Sequence, residues 1–448
     1  MRSTLLLRLE ARRAFATFAR PEITPQPLYW RNIPKWSESK NIVEPSRLFD
    51  FLSTTVPETI PSASSTSTLT RHELIDDITA GIKKAPMSVR ITPHLFSSID
   101  WQAPLQDPIF HQLIPLSSRL EEDHPKLDLD PLHESADMPI PGLVHRYPDK
   151  ALFLTTAVCP VYCRFCTRSY AIGSPTPTVS KQRPWKASKR REGALIATGS
   201  KQCSWRVPSY WESVFEYLQD TAEVNDVVIS GGDTFYLQPE HLRYIGERLL
   251  EIPHIRRFRF ASKGLAVCPS RFLDPADDWA STLIDLSRSG RSYGKEVALH
   301  THFNHPKEIT WITRLAAQRL FANGLIVRNQ SVLLRGINDD VNTMSTLIRQ
   351  LADINIQPMY VYQADMVKGT EDMRTPLSTA LYLENRIRGT IAGHKMPAFV
   401  VDLPGGGGKR LVTSFETYDP ETGISTFKAP GVKGDKIFSY YDPLRKTG

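Results

Sequence analysis

From Ala151 to Asp402 the chain alternates short apolar, β-rich runs with amphipathic helical stretches, and this alternation limits the fold more than any other feature. Strands are predicted near 151–157, 226–230, 256–261, 296–300, 325–329, 357–362 and 398–402. Helices fit between them near 209–222, 239–251, 278–289, 307–323, 341–354 and 376–392. Repeated strand–helix–strand units make neighbouring strands parallel, so the expected class is α/β, a barrel or partial barrel. Polar or Gly-rich motifs fall at the strand ends. A cysteine loop follows the first strand, Ser230–Asp233 (SGGD) the second and His300–Pro306 (HTHFNHP) the fourth. Asn329–Ser331 (NQS) closes the fifth, Tyr362–Asp365 (YQAD) the sixth, and Asp402–Lys409 (DLPGGGGK) follows the last. Parallel α/β folds bind ligands at the carboxyl ends of strands, so one site is predicted on that face.

The cysteine loop reads CPVYCRFC. Cys159, Cys163 and Cys166 can supply thiolates to three irons of a cubic iron–sulfur cluster, leaving the fourth iron open for chemistry. The competing readings are a zinc knuckle and three buried thiols. Structural zinc wants four protein ligands, and Cys203 and Cys268 lie far along the chain.

PGGGGK fits neither common glycine motif. A P-loop needs Gly six residues before its lysine and Ser or Thr after it, where this chain has Leu403 and Arg410. A dinucleotide fingerprint needs a following helix, whereas KRLVTSF is β-like. What remains is a side-chain-free approach that sets one amine, Lys409, near a strand end, either in a solvated loop or as a Schiff-base lysine. SGGD can be a plain turn, or a turn whose backbone amides bind the amino-acid end of a ligand. His300 and His302 would face opposite sides if the strand continues, which favours site-wall or core histidines over a metal site.

Five cysteines, three in one loop, form no disulfide framework, and no apolar run reaches membrane-spanning length. The net charge of +7 is concentrated in two places. One is the segment Lys181–Arg191, where Trp185 is the only aromatic, so a zinc-stabilised nucleic-acid module is disfavoured. The other is residues 1–20, with five arginines and one acid, the composition of a mitochondrial transit peptide. The expected location is the mitochondrial matrix, or the cytoplasm if that segment is not a transit peptide. The expected organisation is 1–20 targeting; 21–145 a helical and loop region wrapping the barrel, with a low-complexity linker at 61–70; 146–403 the barrel, carrying a basic Pro/Ser-rich insertion at 174–208; and 404–448 the lysine loop and C-terminal extension.

Taken together, DPLHE (Asp130–Glu134), PGLVHRYPDK (Pro141–Lys150), CRFCTR, SGGD, HTHFNHP, NQSVLLRGIND, YVYQAD and DLPGGGGK make the chain resemble the lysine 2,3-aminomutase family from about Thr92 to Phe415. The resemblance implies a partial (β/α)6-type radical S-adenosylmethionine barrel with an N-terminal helical extension and a short C-terminal one. It implies that Cys159, Cys163 and Cys166 hold a [4Fe–4S] cluster and that Lys409 carries pyridoxal 5′-phosphate as a Schiff base. Arg146 and Lys150 would contact the cofactor phosphate, Lys150 standing where the family usually has arginine and so losing the bidentate fork. Ser230, Gly231, Gly232, Asp233 and His302 would belong to the cofactor site, and Asn329, Gln330 and Ser331 would line the cofactor and adenosyl region. Arg168 would grip the substrate carboxylate, while Asp365 and Asp402 hold its distal ammonium.

Asp340 stands where well-known members have a zinc-binding cysteine, so the family's structural zinc loses a ligand here. The implied reaction is a radical shift of an amino group from C2 to C3 of L-lysine. A relative acting on glutamate or on a protein-bound lysine is the enzyme alternative. Two acids aimed at one spot raise each other's pKa unless a cation lies between them, which favours a diamine. A turn cap, or a pairing of either acid with a nearby Lys368 or Lys409, is the plainer reading of the same acids. Expected partners are a small amino acid, an electron donor and at most further copies of the chain, with no nucleic acid and no membrane.

Overall fold

The structure is a computed structural model that describes residues 45–62, 67–183 and 207–444. The expected targeting segment and most of the basic insertion lie outside the described residues.

A helix at Pro45–Thr55 leads into a two-stranded hairpin, β1 (Thr59–Pro61) and β2 (Thr68–Thr70). The described ends of the low-complexity stretch, Pro61 and Thr68–Thr70, thus belong to paired strands instead of a linker. The following helix, Arg71–Lys84, starts at Arg71 because Thr70 and Glu73 form a reciprocal capping box that satisfies two orphan donors.

The site-bearing unit is a nine-stranded sheet in the order β11-β10-β9-β8-β7-β6-β5-β4-β3. Seven strands run parallel: β4 (Lys150–Thr156), β5 (Asp226–Gly231), β6 (Arg257–Ala261), β7 (Glu296–Thr301), β8 (Ile326–Leu333), β9 (Gln357–Gln363) and β10 (Ala398–Leu403). β3 (Leu143–Tyr147) flanks β4 and β11 (Gly408–Leu411) flanks β10, both antiparallel. The sheet thus begins at Leu143 and ends at Leu411, slightly beyond the expected 146–403 span. Helices Tyr210–Asp220, Pro239–Glu251, Trp279–Ser292, Trp311–Ala322, Val341–Asp353 and Leu377–Ile387 return the chain between parallel strands. Six crossovers for seven parallel strands make a nearly closed α/β barrel, the class read from the alternation.

Each returning helix buries one stripe. Trp211, Val214, Phe215 and Leu218 recur at i, i+3, i+4 and i+7 on Tyr210–Asp220, and the ring of Phe153 on β4 packs against Trp211 and Phe215. A second core joins β9 and β10 to the C-terminal segment through Phe427, Phe438 and Tyr440. That segment forms its own three-stranded sheet, β12 (Thr417–Asp419), β13 (Ile424–Lys428) and β14 (Ile437–Tyr441). It is anchored by the fully buried Arg374–Glu371 pair, whose Glu371 also accepts the Leu444 amide at 2.6 Å.

One boundary differs from expectation. β8 continues through Asn329–Ser331 to Leu333, with a register shift between Asn329 and Gln330, so NQS lies inside the strand rather than closing it. Asp340 caps the helix Val341–Asp353, accepting the Thr343 amide at 2.9 Å.

Candidate active site

The carboxyl ends of β4–β10 surround a cavity of about 420 Å³. The cysteine loop leaves β4 and is held against β5 by the SGGD turn. The Gly231 backbone has φ +110°, and a Cβ there would lie 2.4 Å from the Thr156 carbonyl oxygen; one on Gly232 would lie 2.4 Å from that of Val158. Only glycines permit this approach. It lets the Gly232 and Asp233 amides donate to Thr156 O (2.5 Å) and Val158 O (3.0 Å). These two amides therefore hold the cysteine loop instead of awaiting a ligand, which corrects the expectation for the turn. Asp233 is a cap as well: its two oxygens accept the Phe235 and Lys263 amides, each at 2.8 Å. Ser230, Gly231, Gly232 and Asp233 all border the cavity.

Cys159, Cys163 and Cys166 are free thiols, and Cys163 and Cys166 face the cavity. Burial pushes all three thiols up, Cys163 to about 12, so without a metal they stay protonated. Among the described residues no three His, Cys, Asp or Glu side chains are placed to hold a single metal ion. Thiolates of a cubic cluster bind separate irons and need not converge on one point.

Arg168, two residues past Cys166, forms a bidentate pair with Glu134 (Nε to Oε2 2.8 Å, Nη2 to Oε1 2.6 Å), and Tyr170 donates to the same carboxylate at 3.1 Å. Its guanidinium borders the cavity with its direction fixed. Thr167, between the two, donates its hydroxyl to Asp365 Oδ2.

On the opposite wall Lys409, on β11, lies directly across from Asp402 on β10, and its Nζ donates to Asp402 Oδ2 at 2.8 Å. The rings of Tyr362 and Tyr147 flank this ammonium, with centroids 5.5 and 5.7 Å away. Burial opposes the charge on Lys409, yet Asp402 carries its pKa well above the usual lysine value. Burial likewise works against Asp402, and Lys409 holds it below the ordinary carboxylate range. Asp365 has no such cation. Burial, then the nearby Asp402 charge, push it up to about 7. The two acids therefore do not raise each other alike. Each keeps one buried oxygen, Oδ1, without a hydrogen-bond partner.

Arg146 and Lys150 reach the same end of the cavity. Arg146 donates Nε to Asp137 at 2.6 Å and Nη2 to the Leu132 carbonyl, while Asp137 also accepts Lys433 at 3.0 Å from the C-terminal segment. The Lys150 ammonium sits over the Tyr147 ring at 3.7 Å; burial and then Lys409 pull it down to about 8.

The histidines and β8 depart from the sequence reading. β7 stops at Thr301, so strand alternation ends there and both His300 and His302 border the cavity. His302 Nδ1 bonds the Gln330 carbonyl at 2.7 Å, and burial keeps the ring neutral. Along β8 Gln330 and Val332 face the cavity. Asn329 and Ser331 turn to the other side, where Asn329 Oδ1 accepts the Phe303 amide at 2.7 Å and Ser331 Oγ donates to the Phe303 carbonyl at 2.7 Å. The period-2 pleat allows one of the three inward, so Asn329 and Ser331 shape the His302 loop instead of lining the cofactor region.

Sequence reading missed Glu134, Tyr147, Thr167 and Tyr362 as site residues, although each lies inside or beside a motif that carried the resemblance. A carboxylate that locks an arginine 34 positions away leaves no signal in local spacing.

No family model matches the chain. Over 334 residues it is 38% identical to the L-lysine 2,3-aminomutase of Clostridium subterminale, covering 74% of this chain and 71% of that protein. The L-lysine 2,3-aminomutase of Bacillus subtilis is 34% identical over 387 residues, 85% and 71% of the two chains. A glutamate 2,3-aminomutase of Clostridioides difficile is 32% identical over 319 residues, 71% and 66%. Among solved structures, Streptococcus suis SuiB bound to precursor peptide SuiA overlaps with a TM-score of 0.35 at 12% identity, over 58% of this chain and 49% of that one. An overlap that loose bears on neither fold nor function.

Proposed function

The chain belongs to the lysine 2,3-aminomutase family and is an enzyme of the aminomutase type, and from that premise we propose that it interconverts L-lysine and L-β-lysine. The observation that carries the choice of lysine is the pair of unmatched carboxylate oxygens, Asp365 Oδ1 and Asp402 Oδ1, buried beside the cavity. A buried acceptor without a donor costs about 1–3 kcal/mol, and a distal ammonium supplies the missing donors. A distal carboxylate, as on glutamate, would instead add a third acid beside these two.

The residues present fit the family's cofactors. Cys159, Cys163 and Cys166 are three unpaired thiols on one loop and would hold a [4Fe–4S] cluster beside S-adenosylmethionine. Lys409, between two tyrosine faces at the end of a Gly-rich turn, would hold pyridoxal phosphate, with Arg146 and Lys150 toward its phosphate. When bound, these groups supply the radical that opens the C3–H bond and the π system that carries the migrating nitrogen.

The chain's own part is positioning and charge. Arg168, pre-aimed by Glu134, grips the α-carboxylate. Asp402 holds the Lys409 ammonium through Oδ2 and would offer its unmatched Oδ1 to the substrate's distal ammonium. Neutral His300 and His302 add polar wall without adding charge. Tyr147, Tyr362 and Phe165 narrow the cavity and restrict water.

The test is anaerobic reconstitution with iron, sulfide, pyridoxal phosphate and S-adenosylmethionine, followed by chromatography of the products from L-lysine and L-glutamate. Conversion of lysine alone supports the proposal; comparable turnover of glutamate overturns the charge reading.

A further inference from the structure

Resting on the lysine reading above, we propose that Thr167 is a specificity-determining positioning residue. Its hydroxyl holds one oxygen of Asp365 so that the other faces the substrate's distal ammonium. Among the described residues the Asp365 carboxylate has one hydrogen-bond donor, Thr167 Oγ1, on Oδ2. The other oxygen, Oδ1, is buried and has no partner, and Asp365 borders the cavity. A carboxylate with a single anchor turns about its last bond unless that anchor holds. Without the hydroxyl both oxygens would be buried and unmatched, and the group would take up a proton instead of attracting a cation.

Thr167 is also the residue between Cys166 and Arg168. The local backbone is tied down: the Ser169 amide donates to Cys166 O at 3.0 Å, and the Ala171 and Ile172 amides donate to Arg168 O at 2.9 Å. One short turn therefore carries a cysteine ligand candidate, the grip on the α-carboxylate and the anchor of the distal acid. The span between the two ends of the substrate is set by this turn rather than by two independently mobile walls.

The test uses the reconstituted, cofactor-loaded enzyme and its Thr167→Val, Thr167→Ala and Thr167→Ser variants. Binding of L-lysine and of L-norleucine, which lacks the distal nitrogen, is measured by calorimetry without reductant so that no turnover intervenes. KM and kcat are then measured with reductant. The expected result is that Val and Ala weaken lysine about ten- to a hundredfold in Kd and KM, the range for a hydrogen bond to a charged group. Norleucine binding and kcat change little, and Ser restores lysine. In an Asp365→Asn background Thr167→Val adds nothing further, because the two side chains act as one unit.

Equal weakening of lysine and norleucine overturns the inference, as do wild-type lysine affinity in the Val and Ala variants and failure of Ser to restore. So does loss of cluster iron in Ala as well as Val, which would make Thr167 a support for the cysteine loop alone. The two readings fail separately. A wild-type chain that favours lysine over norleucine through Thr167 yet makes no β-lysine defeats the proposed reaction and leaves this inference standing.

Discussion

Where the cysteine loop meets β5, the polar groups that shape the turn have protein partners. The Gly232 and Asp233 amides donate to loop carbonyls, both Asp233 oxygens accept amides, and Arg90 donates to Cys159 O at 3.3 Å. Across the cavity, Gln363 at the end of β9, Asp365 just past it and Asp402 on β10 each keep a buried oxygen unmatched. At the turn itself the backbone amides and Asp233 are satisfied and the thiols are free; the second wall keeps acceptors without a donor. The difference teaches that the two ends of the cavity offer different chemistry, thiols at one and unmatched carboxylate and amide oxygens at the other.

The largest effect should come from the sulfur side. Changing any one of Cys159, Cys163 or Cys166 to Ala should remove cluster iron and abolish cleavage of S-adenosylmethionine, while pyridoxal phosphate still binds at Lys409. Iron and acid-labile sulfide analysis checks this. Stoichiometric zinc without sulfide in the wild type would break the comparison at its root.

Next comes Lys409. Borohydride should fix pyridoxal phosphate covalently to Lys409, seen by peptide mass mapping, and Lys409→Ala should lose turnover with its iron content intact. Label on Lys150 instead would exchange the roles of Lys409 and Lys150.

The acids follow. Removing one partner of a desolvated charge pair costs about 2–5 kcal/mol. Asp402→Asn and Asp365→Asn should therefore lower kcat/KM for lysine by roughly thirtyfold or more, leaving iron and bound pyridoxal unchanged. Normal lysine kinetics in either variant would mean that the unmatched oxygens have no role in recognition.

The smallest effect concerns Lys150. Its ammonium, pulled down to about 8 by burial and Lys409, is charged below that pH and neutral above it. Only the charged form attracts a phosphate, so cofactor affinity should fall as pH rises through about 8, and the bound phosphate shifts that point upward in turn. Lys150→Arg, which stays charged, should flatten the profile between pH 7 and 9 with little change at pH 7. Titration of pyridoxal phosphate by absorbance at each pH reads this directly, and an unchanged profile would remove Lys150 from phosphate binding.

Much of this was legible before the structure. The alternation of β-rich runs and amphipathic helices specified the parallel sheet, because each crossover must bury one helical stripe against it. The three cysteines were legible because ligands for one cluster can lie within a single loop. The glycines singled out Lys409 as an amine near a strand end, while its role came from the resemblance alone. The C-terminal sheet and the antiparallel edge strand β3 were not read, since their short, mixed runs carry little periodicity.

What the sequence determined by itself was the order of the strands, the face on which the site lies and the chemical types gathered there, all of which follow from local spacing. Tertiary structure decided which of them meet. It turned Gln330 inward and Asn329 and Ser331 outward, because side-chain direction in a strand follows register. It paired Thr167 with Asp365 across 198 positions and Lys409 with Asp402 across the β10–β11 hairpin. It also separated two acids that look alike in sequence: a carboxylate's charge depends on desolvation and on the nearest cation, and only Asp402 has Lys409 beside it.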